Sequence, residues 1–497
     1  MLMTAGLTAE PGFTASPSGA DKPLLAGTAV VDITPPVGYR VSGYFYERAS
    51  TGVHDPLYAR AMAFAQGDTR AVLVVCDLIG IPATVADPAR RRASERTGIP
   101  VSHLAIAATH THTGPLFFGA LRTYLHEAAV ARHGSDPREE FDYPAFLIDR
   151  LVEAIVQATT AVRPVRLQAG VARQDPPLSF HRRFYMKDGS VRFNPGFLNP
   201  EIVKPCGPID PEVGILLLRD PRGGKPLASL TVFANHLDTT GGTEFSADYP
   251  VYLSLKLKEH LGDDHVPIFG QGTSGNINHL DVSKPREQGA RSARQIGTLL
   301  GETVLAALPR LPSVSESSLA VVSRKVELPV QRFSPEQIRA AREAMLYYTR
   351  PEPPQTGENP KTGETGDKKP PRPPDTFLSK VEACKITDVA ESWSPTASLE
   401  VQVFRISKDV AVVTLPGEVF VELGLAIKKS SPFRTTLVLQ LCNAHPYYVP
   451  TEKGFAEGAY EAINSRLQPG GGEKLVATAI RLLGQVAGAT TAPAGGS

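Results

Sequence analysis

The chain has 497 residues, with 52 Lys and Arg against 51 Asp and Glu, and 42% of it is hydrophobic. This length supplies one large enzyme domain or two to three average ones, with a core to match. A net charge of +1 creates no field to draw in nucleic acid or anionic lipid, so the expected partner is a small molecule.

Four cysteines, at 76, 206, 384 and 442, lie far apart without a C-x-x-C pair. Such usage suits reduced thiols and argues against a disulfide framework or a paired-cysteine zinc site. The first residues show neither a basic n-region nor an apolar h-region, and no run reaches about 18 apolar residues. A soluble chain without a transmembrane segment is expected, placed in the cytoplasm by the lack of a visible signal peptide, with secretion left open.

In chain order, residues 1–24 are rich in Ala, Thr, Ser, Gly and Pro and read as a flexible tail, as do 487–497. Between them, 25–486 reads as a single domain. "RAVLVVCDLIG" and "HLAIAAT" are near-continuous apolar strands of the kind buried on both faces. "YPAFLIDRLVEAIVQATTA" has helical spacing at Phe146, Leu147, Ile148, Leu151, Ile155 and Val156. "EVGILLLR" and "ASLTVFAN" are further buried strands, while "SLAVVSRKVELPV" alternates as a strand with one wetter face. "SPEQIRAAREAMLYY" opens a helix with Ser334 as N-cap, Pro335 at N1 and Gln337 at N3. Residues 350–376 are Pro-rich and polar, with little to bury, and read as an exposed loop inserted in the domain. "LEVQVFRI" and "VAVVTL" complete a mixed α/β protein with much sheet.

Several strands end in polar residues. "LAIAATHTHTGP" places His110 and His112 on the face of Leu104, Ile106 and Ala108 if the strand continues through them. Gly114-Pro115 then stops the strand, leaving two imidazoles at a rim. "ASLTVFANHLDTTGG" runs into Asn235, His236 and Asp238. "VAVVTLPGEVFVELG" places Glu418 where a helix is expected to begin. "TTLVLQLCNAHPYYVPT" ends in Asn443, His445, Tyr447 and Tyr448. Imidazole and carboxylate are the donors zinc takes in catalytic sites, with one position left for water. Each also has an ordinary reading: His236 as a satisfied core histidine, Glu418 as a first-turn acid, Tyr448 as a half-buried aromatic. No compact H-E-x-x-H motif is present, so spacing alone does not make these segments converge. A fifth stretch, "VPIFGQGTSGNINHLD", offers Gly270, Gly272 and Gly275 with Asn276 and Asn278. It reads as a plain turn, or as a loop whose N–H groups hold an anion or oxyanion. It is neither a Walker loop nor a G-x-S-x-G elbow.

In this order the segments resemble the neutral/alkaline, non-lysosomal ceramidase family of zinc amidases. The likeness runs from "AGTAVVDITPPVG" through "GVHDPLYARAMAF" and "THTHTGP" to "YVPTEKGFAEGAYE" and covers nearly the whole expected domain. "THTHTGP" is similar to the family's T-H-T-H-S-G-P, and "LPGE" to the stretch carrying its glutamate ligand. The resemblance implies a layered αββα-type domain, buried sheets flanked by helices, and Zn2+ held by His110, His236, Glu418 and Tyr448, with Tyr447 as alternative to the last. It makes His112 a proton shuttle or transition-state donor, and places Arg182, or Arg183 beside it, near the substrate carbonyl.

Two departures from the family are legible. The family's G-D-V-S-P, with its catalytic serine, is here "GNINH", so Asn276 replaces the aspartate and Asn278 the serine. The chain also ends where ceramidases continue into an immunoglobulin-like domain, so a short member lacking that domain is expected. The implied function is zinc-dependent hydrolysis of an N-acyl amide by metal-activated water, with Asn276 or Asn278 stabilising the oxyanion. The substrate expected is a small N-acyl or ester compound, lipid-like or smaller. An esterase or lactonase on the same site, or a member that binds without turnover, are the alternatives.

Overall fold

The computed structural model describes residues 22–314, 316–350, 373–374 and 376–488. Of the tails expected over 1–24 and 487–497, residues 1–21 and 489–497 lie outside them, as do 351–372 and 375 of the loop expected over 350–376; residues 487 and 488 instead finish the helix Gly471–Gly488.

Three sheets carry the architecture. In the first, Leu25–Asp32, Tyr58–Gln66 and Thr69–Cys76 pair antiparallel, and Leu104–Ala108 adds a parallel strand. In the second, Arg166–Arg173, Glu212–Arg219 and Pro226–Phe233 pair antiparallel and Val266–Gln271 is the parallel addition. In the third, Ser317–Pro329, Thr396–Ser407 and Val410–Thr414 pair antiparallel and Thr435–Leu439 is the parallel addition. A parallel neighbour needs a crossover, and a helix fills that role in each sheet: Ala83–Thr97, Tyr249–Leu261 and Val421–Ser430.

Period-2 alternation explains how the sheets assemble. Leu73, Val75, Ala105 and Ala107 of the first sheet meet Leu216, Leu230 and Ile268 of the second and Val412, Leu437 and Leu439 of the third in one central cluster. The intervening residues face outward onto helices. Val72, Val74, Leu104 and Ile106 pack against Leu147, Leu151 and Ile155 of the helix Tyr143–Thr160. Ile215 and Leu217 pack on the helices Tyr249–Leu261 and Ala293–Ala307. Val413 and Val438 pack under the helix Gly471–Gly488. Strands apolar on both faces are buried on both faces, as the sequence implies.

The fold is mixed α/β with buried sheets flanked by helices, and three sheets share its centre. The Ser334 capping box forms, with Gln337 returning its side chain to the Ser334 N–H. No helix among the described residues is long and apolar enough to cross a membrane.

Candidate metal centre and active site

All five polar segments leave the carboxyl ends of these parallel strand pairs. Thr109–His112 follows Leu104–Ala108, and His236 follows Pro226–Phe233. Glu418 follows Val410–Thr414, Gly272–Asn278 follows Val266–Gln271, and His445–Tyr448 follows Thr435–Leu439. The carboxyl ends of parallel strands are where α/β sheets open crevices.

Strand alternation does not carry His110 and His112 into place. The strand ends at Ala108, and His110 adopts φ 78°, in the left-handed region. Its N–H is tied to the Leu78 carbonyl at 2.8 Å, so the chain turns there and the two rings meet edge to face, 5.0 Å apart. Glu418 likewise precedes its helix. It pairs with Tyr448 in a short parallel bridge, and the helix begins at Val421.

The three imidazoles converge. His110 Nε2 lies 3.0 Å from His236 Nε2 and 3.4 Å from His112 Nε2. Glu418 Oε2 is 3.2 Å from His110 Nε2. His110 Nδ1 sits 2.7 Å from the Ile79 carbonyl, which only accepts, so Nδ1 carries the proton and Nε2 presents its lone pair inward.

Electrostatics keep these groups in ligand form. Burial, with the nearby Arg182 charge, drives His236 well below its usual range, and burial lowers His112 to about 4. Burial alone would raise Glu418, but His110, His445 and Arg182 outweigh it and hold the carboxyl at about 2. Neutral His112 and His236 and an ionised Glu418 therefore face one point at neutral pH.

This donor set fits a divalent cation. The nitrogens of His110, His112 and His236 lie within 4.8 Å of one another, and Glu418 Oε2 is buried without a hydrogen-bond donor. A buried carboxylate oxygen facing imidazole lone pairs is unfavourable without a positive charge between them. Three nitrogens and one oxygen are donors that zinc accepts.

Arg182, not its neighbour, reaches the imidazoles. Its Nη1 is 3.4 Å from both ring nitrogens of His236. Its Nε bonds Glu461 at 2.8 Å, and Nη2 bonds the Gly275 carbonyl at 2.7 Å. Burial would lower this guanidinium, but Tyr448 and Glu461 hold it up, so it stays charged. Arg183 is directed instead to Glu457, Glu461 and the Gly454 and Gly458 carbonyls.

The two tyrosines also separate. Tyr448 stands beside Arg182, whose guanidinium carbon is 5.3 Å from its ring, and feels the charge of Glu418. Tyr447, at φ 57°, lies under Arg466, whose guanidinium carbon is 3.4 Å from its ring centre.

Asn276 and Asn278 spend their amides elsewhere. Asn276 Nδ2 bonds Glu422 at 2.7 Å, and its Oδ1 accepts from the Val421 N–H at 2.8 Å. Asn278 Nδ2 bonds Asn194, and its Oδ1 accepts from the Leu280 N–H. The loop N–H groups are also engaged: Gly275 N bonds the Val419 carbonyl and Ile277 N that of Ser274. Gly275 is required by proximity, since a Cβ there would lie 2.4 Å from the Glu418 carbonyl. The loop instead holds Arg182, through the Gly275 carbonyl and through the Asn276 carbonyl, which takes the Arg182 N–H at 3.0 Å.

Sequence reasoning passed over Glu461, fully buried between Arg182 and Arg183, and Tyr44. Tyr44 donates to Asp238 at 2.8 Å, and Asp238 lies 3.6 Å from His112 Nδ1. An acid in the amphipathic stretch "AYEAIN" carries no local signal. Only its two arginine partners, some 280 residues away in sequence, account for it.

A cleft is lined by His110, His112 and Glu418 together with Phe118, Leu121, Tyr447 and Arg466.

No family model and no curated protein matches the chain. Solved structures do. Neutral ceramidase from Pseudomonas aeruginosa superposes with a TM-score of 0.65 at 22% identity, over 94% of this chain and 75% of that one. A ceramidase complexed with C2 gives a TM-score of 0.64 at 19% identity, again over 94% of this chain and 75% of that one. The chain has the fold of neutral ceramidase.

Proposed function

We propose that this chain is a ceramidase-like, zinc-dependent hydrolase of N-acyl amide bonds. The observation that carries the reading is the convergence of three imidazole nitrogens on a buried carboxylate oxygen that has no protein donor. The shared fold with neutral ceramidase supports the reaction class. His110, His236 and Glu418, joined by Tyr448, are the residues assigned to the metal.

Zinc, when bound, supplies Lewis acidity that polarises the amide carbonyl and makes water acidic enough to ionise near pH ~7. His112 is assigned the proton. Its ring is neutral at neutral pH, able to accept from the attacking water and return the proton to the departing amine, which leaves poorly unless protonated. Asp238, held by Tyr44, lies on the Nδ1 side of that ring, 3.6 Å away, where its charge favours the protonated imidazole. Arg182 is assigned the developing negative charge on the carbonyl oxygen. Glu461 and the Gly275 carbonyl fix the guanidinium in advance, so it need not reorganise during the reaction.

Asn278 stands where the family resemblance places a serine, and its amide is bound to Asn194. That loss favours, as a second reading, an ester or lactone substrate, whose leaving group needs less help from a proton. A panel of matched amides and esters separates the two. Purified protein is expected to hold about one zinc per chain, and His110→Ala to lose both zinc and turnover. Full zinc occupancy in that variant would sink the assignment.

A further inference from the structure

The part of the cleft lined by Gly119, Tyr447 and Arg466 is built of hydrogen-bond donors. The helix Ala120–His133 opens there on Gly119, without a side-chain cap and without an acid in its first turn, and Gly119, Ala120 and Leu121 line the cleft. Its first N–H groups have no intrahelical acceptor and carry the positive end of the helix dipole.

Arg466 is the independent second observation. It is 1% exposed, yet lines the same cleft. Its Nε bonds Asp388 at 2.8 Å, and its Nη1 bonds the Asn464 carbonyl and side chain at 2.9 and 2.8 Å. Among the described residues its one ion pair is that of Nε with Asp388, and the guanidinium stands within hydrogen-bonding reach of the Tyr447 side chain. Its plane lies flat on Tyr447, whose hydroxyl is directed at Gly119. His445, also buried and on the cleft wall, has Nδ1 without a partner. Charge points the same way: buried Arg466 is paired with one acid, Asp388, and its charge also reaches buried Lys385.

We propose that this part of the cleft, formed by the Ala120–His133 helix N-terminus, Arg466 and the Tyr447 hydroxyl, is a carboxylate subsite, so the substrate is an amide or ester that also bears a carboxylate. This rests on the hydrolase reading for the word substrate, but the subsite itself does not require turnover. Phe118 and Leu121 supply an apolar wall beside the donors, which suits a short hydrocarbon between the scissile carbonyl and the acid. N-acyl amino acids and monoamides of dicarboxylic acids have this chemistry. Backbone N–H groups at a helix start and an Arg fork are established partners for a carboxylate.

The test is calorimetric titration of the purified full chain with 4-phenylbutyrate and with its neutral amide, 4-phenylbutyramide. The carboxylate is expected to bind about tenfold or more tightly than the amide, as charge-assisted hydrogen bonds give. Arg466→Met alone would strand buried Asp388, so the double variant Arg466→Met with Asp388→Leu removes both charges. It is expected to abolish the preference. Tyr447→Phe, which removes one hydroxyl and no charge, is expected to weaken phenylbutyrate alone about threefold to tenfold. Equal binding of the two probes by the parent chain overturns the subsite. So does a preference that survives in both variants, which places the carboxylate on the metal instead. A chain that hydrolyses no amide or ester yet shows the Arg466-dependent preference refutes the reaction and leaves the subsite standing.

Discussion

Among the described residues two clusters bring three potential metal donors within 4.8 Å: His110, His112 and His236 at the cleft, and His126, Asp136 and Glu139 beside the loop of Arg40. They look alike as lists of ligands and differ in what surrounds them. The second is already neutralised by protein. Arg40 Nη1 lies 2.6 Å from Asp136 and 2.8 Å from Glu139, Arg122 bonds Glu139, and His126 Nδ1 is 2.9 Å from Asp136. The first has no cation bonded to its carboxylate, and Glu418 Oε2 is left without a donor. A metal site is marked less by its ligands than by a charge the protein declines to balance.

The largest test of that contrast compares two alanine variants. His110→Ala is expected to bring zinc content and hydrolysis to background, whereas His126→Ala keeps about one zinc per chain and its turnover. Elemental analysis with a rate assay checks this, and equal zinc loss in both would erase the distinction.

Stability should respond the opposite way. Arg40→Met leaves Asp136 and Glu139 buried with too little positive charge, at a cost of about 3–5 kcal/mol by denaturant unfolding. Added zinc should not rescue it.

Within the cleft, Arg182→Lys keeps a charge but loses the fork held by Glu461 and the Gly275 carbonyl. A roughly hundredfold fall in kcat with zinc content unchanged is expected. An unchanged kcat would remove Arg182 from the reaction.

The smallest effect concerns a buried histidine in neither cluster. His265 is fully buried, 2.9 Å from the Ser229 hydroxyl, and burial lowers it to about 4. Its folded value lies below the unfolded one near 6.5, so the unfolded chain takes up the proton first as the pH falls. Its contribution is complete above pH ~6.5 and is lost toward pH ~4, about 3 kcal/mol in all. His265→Gln should flatten the decline of Tm across that window. A slope identical to the parent's would show that His265 carries no such linkage.

Much of the frame was legible in the sequence because burial writes a local pattern. Strands such as "AVLVVC" and "GILLL" are apolar at every position since both faces are covered, and the Ser334 capping box is set by three residues in one turn. The polar residues at strand ends were also visible one by one. What escaped was anything fixed by a partner far along the chain. Arg182 and Arg183 are adjacent and chemically identical, and only Glu461, Gly275 and His236 send one to the imidazoles and the other away. Asn276 and Asn278 looked like oxyanion donors, and Glu422, Val421 and Asn194 occupy them.

The sequence by itself determined the buried strands, the helices Tyr143–Thr160 and Pro335–Tyr348 and the residue types available for chemistry, since hydrophobic period, capping and turn residues act within a few positions of one another. The tertiary structure alone decided which of those residues share a site. Three sheets had to meet in one core before the ends of Leu104–Ala108, Pro226–Phe233 and Val410–Thr414 came together. His110 then had to leave the strand conformation, at φ 78°, for its ring to face His236 rather than follow the face of Ile106. Convergence of this kind depends on packing between distant segments, and no local pattern encodes it.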